Sequence, residues 1–513
     1  MSVPRRSRTA RLLAATVGAA LLLAGCAPEP VAGWEPRQWT VDGTITEAPT
    51  PSDPGQASTT DMRLRNDDVG IDARWATLPG APAFNAAVEA VVRDAVASRT
   101  QISGRAYRPM AHPSGAGLGE RGCTPDATAA TASDILGNRE GTVVVCEIVL
   151  ARGTLLGERL RVVSTSGSAE PSDTSTVIYT DVSTDEVVTE ADLFTDAGAL
   201  WPAYIDTLRR DAGSLSLSPV AAPTDAQLAV FRDALLRSHL TDDEVVIPVP
   251  AALTARELDG LAGWRERSRD HPPSVALNAS VALRALTPFA QALIRAEGDF
   301  AGPSSAGAGF LPTPCDLVPC MALTLDDGPS ELTPQFLDVL RDEHSAATFF
   351  MLGQNARSHP DTVRRVAAEG HQIGNHTWSH PYLTELTKEQ VEDELGRTAA
   401  LLRELSGQPV GTFRPPGGFI DEDVVAIAGE PAILWSVDTR DWEKPADDEL
   451  ARYAIDAPAV STIMLMHDIQ AGSARVFDRV VSGLRDRGFS LVTLDTLFGG
   501  SVPSGIVRHG PLA

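Results

Sequence analysis

The chain has 513 residues, room for two or three domains, and carries a formal charge of −25. That excess of carboxylates argues against nucleic acid or an anionic lipid surface as the main partner. Lys388 and Lys444 are the only lysines, so arginine supplies nearly all the positive charge.

Arg5, Arg6, Arg8 and Arg11 precede an apolar stretch, Leu12 to Leu23, that is too short for a stable transmembrane span. It ends in Leu23-Ala24-Gly25-Cys26, which resembles a bacterial lipobox. The resemblance implies cleavage before Cys26 and a lipid on its sulfur, with residues 1–26 as signal. The mature protein would then sit on the outer face of the cell membrane, held by the lipid alone. Residues 27–60, rich in Pro, Thr, Asp and Gly, read as a tether.

From 61 to 298 the chain mixes strands (Thr142–Leu150, Glu158–Thr165, Thr176–Thr180) with helical patterns (Ala83–Ala97, Ala199–Ala212, Asp225–Ser238), a separate α+β domain. With Cys26 set aside, four cysteines remain in a compartment that permits disulfides. Cys315 and Cys320 are near enough to close a small loop, and Cys123 and Cys146 would then pair. Neither pair has the spacing of a zinc knuckle. A Gly/Ser/Ala-rich linker covers 299–314, and 501–513 reads as a tail.

Residues 315–500 alternate strand-length apolar runs with helical patterns. The strands are Met321–Leu325, Ala347–Leu352, Gln372–Gly374, Gly411–Phe413, Ile433–Val437, Ile463–Met466 and Ser490–Leu494. Helices fit at Thr333–Asp342, Pro360–Glu369, Lys388–Leu405 and Arg475–Arg487. Repeated βα units mean a parallel sheet, and about seven strands predict an incomplete or distorted (β/α) barrel. Active sites of such barrels form where the strand C-termini share one rim. Asp326 and Asp327 follow the first strand, His376 the third, Arg414 the fourth, Asp438 and Asp441 the fifth, and His467 the sixth. Two adjacent carboxylates and two imidazoles four residues apart offer three ligands for a divalent metal, with one carboxylate left as a base.

Five segments in order resemble the polysaccharide deacetylases (the NodB-homology domain, carbohydrate esterase family 4). They are Thr324-Leu-Asp-Asp-Gly328, His376-Thr-Trp-Ser-His380, Arg414-Pro-Pro-Gly-Gly418, Asp438-Thr-Arg-Asp-Trp442 and Leu465-Met-His467. The likeness covers about residues 318–497. It implies Asp327, His376 and His380 as ligands of a divalent ion, zinc before cobalt. It implies Asp326 as general base aligned by Arg414, and His467 as general acid oriented by Asp441. Trp442 and Leu465 would line a pocket for the acetyl methyl group, while Asp438 caps its loop. An aromatic residue usually follows Arg-Pro-Pro and donates its N–H to the oxyanion. Here that position is Gly417, which keeps the N–H but lacks the ring.

The implied activity is removal of N-acetyl groups from amino-sugar polymers, with cell-wall peptidoglycan first met by an exported enzyme. Chitooligosaccharides or an O-acetylated xylan-type polysaccharide are alternatives. A wall-binding or sensing lipoprotein without turnover is the reading from another class. Tyr179-Thr-Asp-Val-Ser-Thr-Asp-Glu and Glu190-Ala-Asp-Leu-Phe faintly resemble an extracytoplasmic domain that precedes the catalytic region in some wall deacetylases and also occurs in a lysozyme-sensing anti-sigma factor. That likeness implies a wall or protein ligand for 61–298.

Overall fold

A computed structural model describes residues 43–47, 57–119, 121–137, 139–165, 171–236, 238–240, 243–261, 273–278, 285–303 and 313–511. Cys26 and its signal, most of the tether and the centre of the linker lie outside them. Residues Asp42–Ala513 form one compact unit. Among the described residues no helix is long and apolar enough to cross a membrane.

The first half contains β1 (Gly43–Glu47), β2 (Thr60–Asn66), β3 (Ile71–Thr77), α1 (Pro82–Ser103), β4 (Gly141–Arg152), β5 (Leu155–Thr165), β6 (Ser172–Asp181), β7 (Glu186–Thr189), α2 (Trp201–Asp211), α3 (Asp225–Leu236), β8 (His239–Leu240), β9 (Glu244–Pro248), β10 (Pro273–Asn278) and α4 (Pro288–Arg295). β2 to β7 form a six-stranded sheet in chain order, antiparallel except where β3 meets β4. Phe84, Val88, Val92 and Val96 recur every fourth residue, so α1 buries one face. A second sheet runs β1-β10-β9-β8. β1 corrects the tether: Gly43 to Glu47 pair antiparallel with β10, and Ile45 packs on the cluster around Val275 and Trp201. Five residues of alternation amid prolines are too few to announce a strand.

The second half holds β11 (Cys320–Asp326), α5 (Thr333–Asp342), β12 (Thr348–Met351), α6 (Gly353–Ser358), α7 (Pro360–Ala368), β13 (Gln372–Asn375), α8 (Lys388–Ser406), β14 (Ala432–Ile433), β15 (Val437–Asp438), α9 (Asp447–Asp456), β16 (Ile463–His467), α10 (Ala471–Asp486), β17 (Ser490–Val492) and β18 (Ile506–Val507). The parallel sheet runs β13-β12-β11-β16-β15, with β17 on the opening half of β11. Two of the expected strands are altered. Gly411–Phe413 contributes only parallel bridges of Phe413 to Asn375 and Ala432, because Pro415 and Pro416 have no N–H to extend a ladder. Ile433–Val437 divides into β14 and β15. The bridges carry the sheet from β13 to β14, and the same segment continues into β15, so it curls into a distorted barrel. The supposed tail supplies β18, which pairs with β14.

Side chains on β11 alternate. Met321, Leu323 and Leu325 face the helices, packing in one cluster with Phe336, Val363 and Phe477, while Thr324 and Asp326 point the other way. The two halves share an apolar core: Trp75, Phe84 and Val88 belong to the same cluster as Val318, Cys320, Ala322 and Ile463. With this shared core, a separate first domain is not confirmed. Arg93 pairs with Asp316 at 2.7 Å, and the Tyr107 hydroxyl donates to Leu317 O at 2.6 Å. Disulfides join Cys123 to Cys146 and Cys315 to Cys320. Phe84→Ala should cost about 3–5 kcal/mol, read as a lower urea midpoint. An unchanged midpoint would show that this cluster is not a shared core.

Candidate active site

Parallel strands bring their C-terminal ends to one rim, and the polar residues collect there. Asp326 ends β11, and the β11–β16 register sets it opposite His467. His376 follows β13 directly, and its N–H bonds Met351 O of the neighbouring strand at 3.0 Å. Asp327, Thr377 and His380 adopt positive φ angles of 71°, 68° and 65°, a conformation uncommon outside glycine. Local bonds hold it. Asn355 Nδ2 donates to Asp327 O at 2.8 Å, the Thr377 N–H to Asn375 Oδ1 at 2.9 Å, and the His380 N–H to Thr377 Oγ1 at 3.1 Å.

Asp327 Oδ1 lies 3.4 Å from Nε2 of His376 and 3.4 Å from Nε2 of His380. The three ligand atoms lie within 4.8 Å of one another. Asp327 Oδ1 is buried and, among the described residues, has no hydrogen-bond partner. His376 Nδ1 stands 2.8 Å from Arg414 O, so a proton there leaves the Nε2 lone pair facing the carboxylate. An orphaned carboxylate oxygen between two imidazole nitrogens fits a divalent cation. The other Cys/Glu cluster, Cys123, Cys146 and Glu158, has both sulfurs in a disulfide.

Arg414 is fully buried. Its Nη1 donates to Asp326 Oδ1 and to Thr324 Oγ1, both at 2.7 Å; Nε and Nη2 donate to Ile433 O and Leu434 O at 3.0 and 3.2 Å. Its guanidinium lies 4.2 Å from the Phe350 ring centroid. Breaking such a pair by removing one partner leaves an uncompensated buried charge. Asp326 is thereby fixed beside the ligand cluster, its Oδ2 3.8 Å from His376 Nε2.

Asp441 receives the His467 backbone N–H at 2.9 Å and its Nδ1–H at 2.7 Å, and Ser473 Oγ donates to it as well. Burial depresses the His467 pKa, but the hydrogen bond and charge of Asp441, with Asp326 and Asp327 behind it, raise it to about 9. Burial likewise pushes Asp327 up, yet His376 above all, then His467 and His380, take it down to about 2. The rim holds opposite charges side by side.

The remaining expected residues are less central. Leu465 is buried within β16, Trp442 is half-exposed beside Asp441, and Gly417 is exposed with φ 64°. Asp438 Oδ1 accepts the Arg440 N–H at 2.8 Å, capping its loop. A cavity of about 490 Å³ lined by Asp61, Trp75, Arg121, His344 and Arg485 contains none of these groups.

Two residues escaped the sequence reading. Glu394 on α8 accepts the N–H groups of Trp378 and Ser379 at 2.8 Å each, and so anchors the loop from His376 to His380. On an amphipathic helix it reads as a solvated carboxylate. Asp468 is buried, takes a hydrogen bond from Thr333 Oγ1, and presses on Gly328, where a Cβ would lie 2.3 Å from its oxygens. Burial raises its pKa to about 7.

In chelator-treated protein the His467 imidazole should titrate near 9, and Asp441→Asn should return it toward 6.5. The protonated ring then favours the folded state. That stabilisation is complete below about pH 6.5, disappears as pH rises through about 9, and should be missing from the variant; NMR titration and urea unfolding across this range read both. Glu394→Ala should weaken metal binding about 10-fold or more, measured by competition with a chromogenic chelator.

A family model described as polysaccharide deacetylase matches residues 315–432. The peptidoglycan-N-acetylglucosamine deacetylase PgdA of Listeria monocytogenes is 37% identical over 180 residues, 35% of this chain and 39% of that protein. The chain thus spans about two fifths of that relative's length. A peptidoglycan-N-acetylglucosamine deacetylase of Bacillus cereus is 37% identical over 35% of this chain and 68% of its own length. A chitooligosaccharide deacetylase of Sinorhizobium fredii is 34% identical over 34% of this chain and 90% of that one. Identity at this level over more than two thirds of a relative settles the assignment: the chain belongs to the polysaccharide deacetylase family.

Proposed function

We propose that the chain is a metal-dependent hydrolase that removes N-acetyl groups from amino-sugar polymers, peptidoglycan foremost. The observation that carries this reading is one rim holding three different tools. They are the Asp327/His376/His380 ligand cluster, the Asp326–Arg414 pair and the Asp441–His467 pair. Zinc, or cobalt, suits the ligand set; bound there it would polarise the acetyl carbonyl and acidify water.

The chain's own groups divide the proton work. Asp326, aligned by Arg414, takes a proton from the water whose oxygen attacks the acetyl carbon. The Gly417 N–H is assigned to the oxyanion of the tetrahedral intermediate. His467, cationic at neutral pH, gives its Nε2 proton to the departing nitrogen as the C–N bond breaks, while Asp441 keeps Nδ1 protonated. The products are acetate and a free amine on the sugar. Trp442 and Leu465 are assigned to the acetyl methyl group.

The names of the Listeria and Bacillus relatives support peptidoglycan as substrate, and the Sinorhizobium relative keeps chitooligosaccharides as the alternative. We assign catalysis to 315–500 and a wall or protein ligand to 61–298. The Leu23-Ala-Gly-Cys26 segment supports a lipid anchor on the outer face of the membrane.

Acetate release from N-acetylglucosamine oligomers and from peptidoglycan should stop with a chelator and return with zinc. Asp326→Asn should keep metal and lose about 10²-fold or more of the rate, whereas His376→Ala should lose the metal itself. Mass spectrometry of digested peptidoglycan identifies the sugar. Protein carrying stoichiometric metal that frees no acetate from any acetylated glycan would favour the non-catalytic reading.

A further inference from the structure

Among the described residues four aromatic side chains are prominently exposed: Tyr382, Phe419, Trp442 and Tyr453. Three of them stand within two residues of site residues, Tyr382 beside His380, Phe419 beside Gly417, and Trp442 beside Asp441. Exposed rings gathered at one rim are a stronger signal than rings scattered singly.

Tyr382 and Phe419 touch. Their centroids are 4.8 Å apart with planes tilted by 59°, and they are 45% and 53% exposed. Gly417 lies beneath them. A Cβ at that position would sit 3.0 Å from Phe419 Cδ2 and 3.1 Å from Tyr382 Cε1, on a backbone with φ 64°. Side-chain bulk at 417 would therefore have to displace the rings, and glycine gives them their place. The chain lacks one ring at 417 and presents two rings over it, drawn from separate loops.

We propose that Tyr382 and Phe419 form a stacking platform for the pyranose ring of the sugar adjoining the one being deacetylated. A pyranose carries C–H groups on its faces and hydroxyls around its edge. It can cover an apolar ring surface while its hydroxyls stay in water. The platform adjoins the ligand cluster through His380 and the Asp326–Arg414 pair through the 414–419 loop, so a polymer lying on it passes the catalytic rim. This subsite rests on the deacetylase reading for its role, and it selects a chain of sugars over a single one.

Binding is tested without turnover, by calorimetry of the chelator-treated full chain with the N-acetylglucosamine pentamer. Tyr382→Ala and Phe419→Ala should each weaken binding by about tenfold, and Tyr382→Phe, which keeps the ring, should bind as the parent does. With metal restored, kcat/KM for the pentamer relative to the monomer should fall by about tenfold in the alanine variants. Unchanged pentamer binding in both alanine variants, equal weakening in Tyr382→Phe, or equal loss on monomer and pentamer would overturn the platform. Ring-dependent binding by a parent protein that frees no acetate would uphold the platform and refute the deacetylase reading.

Discussion

The site depends on one buried cation. Arg414 sends its guanidinium to Asp326 and Thr324 on β11 and to the carbonyls of Ile433 and Leu434, while its own carbonyl accepts from His376. Its N–H returns to Asn375 O at the end of β13. One residue therefore fixes the proposed base through its side chain and a metal ligand through its backbone. A guanidinium with no solvent exposure tolerates few arrangements, because every donor left unmatched costs desolvation energy. The rigidity of Asp326 follows from that intolerance. Replacing Arg414 would disturb both functions together, since the loop carrying its carbonyl is positioned by the same bonds.

The rest of the rim repeats a simpler device. A carboxylate behind the rim accepts backbone N–H from the segment that carries an imidazole and thereby sets that imidazole. Glu394 does this for the segment between His376 and His380, and Asp441 does it for His467. Both carboxylates are buried, and both take a serine hydroxyl as well, Ser379 and Ser473. Loops that connect strands to helices are otherwise the mobile part of a barrel. These fixed carboxylates place catalytic side chains within the tolerance that proton transfer demands.

Much of this was legible before any coordinates, for identifiable reasons. A central parallel strand is buried on both faces, so Met321 to Leu325 reads as an apolar run broken only by Thr324, and the carboxylates at its end stand out. His376 and His380 announce themselves by spacing, and α5 begins and ends where its pattern predicts. What stayed hidden depends on partners distant in sequence. Phe413 joins the sheet through single bridges that no periodicity encodes. β1 and β18 are too short to show alternation. The cluster shared by Phe84 and Val318 joins segments over two hundred residues apart, and a linker between two patterned regions hides such packing. Glu394 and Tyr382 look like ordinary surface residues until the loop they serve is seen.

The pairing of the two proton carriers is a consequence of placement. Asp326 and His467 are register partners on adjacent strands. Arg414 sits behind the carboxylate and Asp441 behind the imidazole, so each carrier faces the other with a counter-charge at its back. Arg414 thus aligns the base, and Asp441 keeps the acid protonated, within one small volume and without an unusual side chain. The anionic neighbours that lift His467 to about 9 include Asp326 and Asp327. A cation held by Asp327, His376 and His380 would cancel part of that field, drawing the His467 pKa back toward neutrality. A proton donor is most useful when its pKa lies near the working pH. The same ligand cluster that binds the metal would then also set the strength of the acid across the rim.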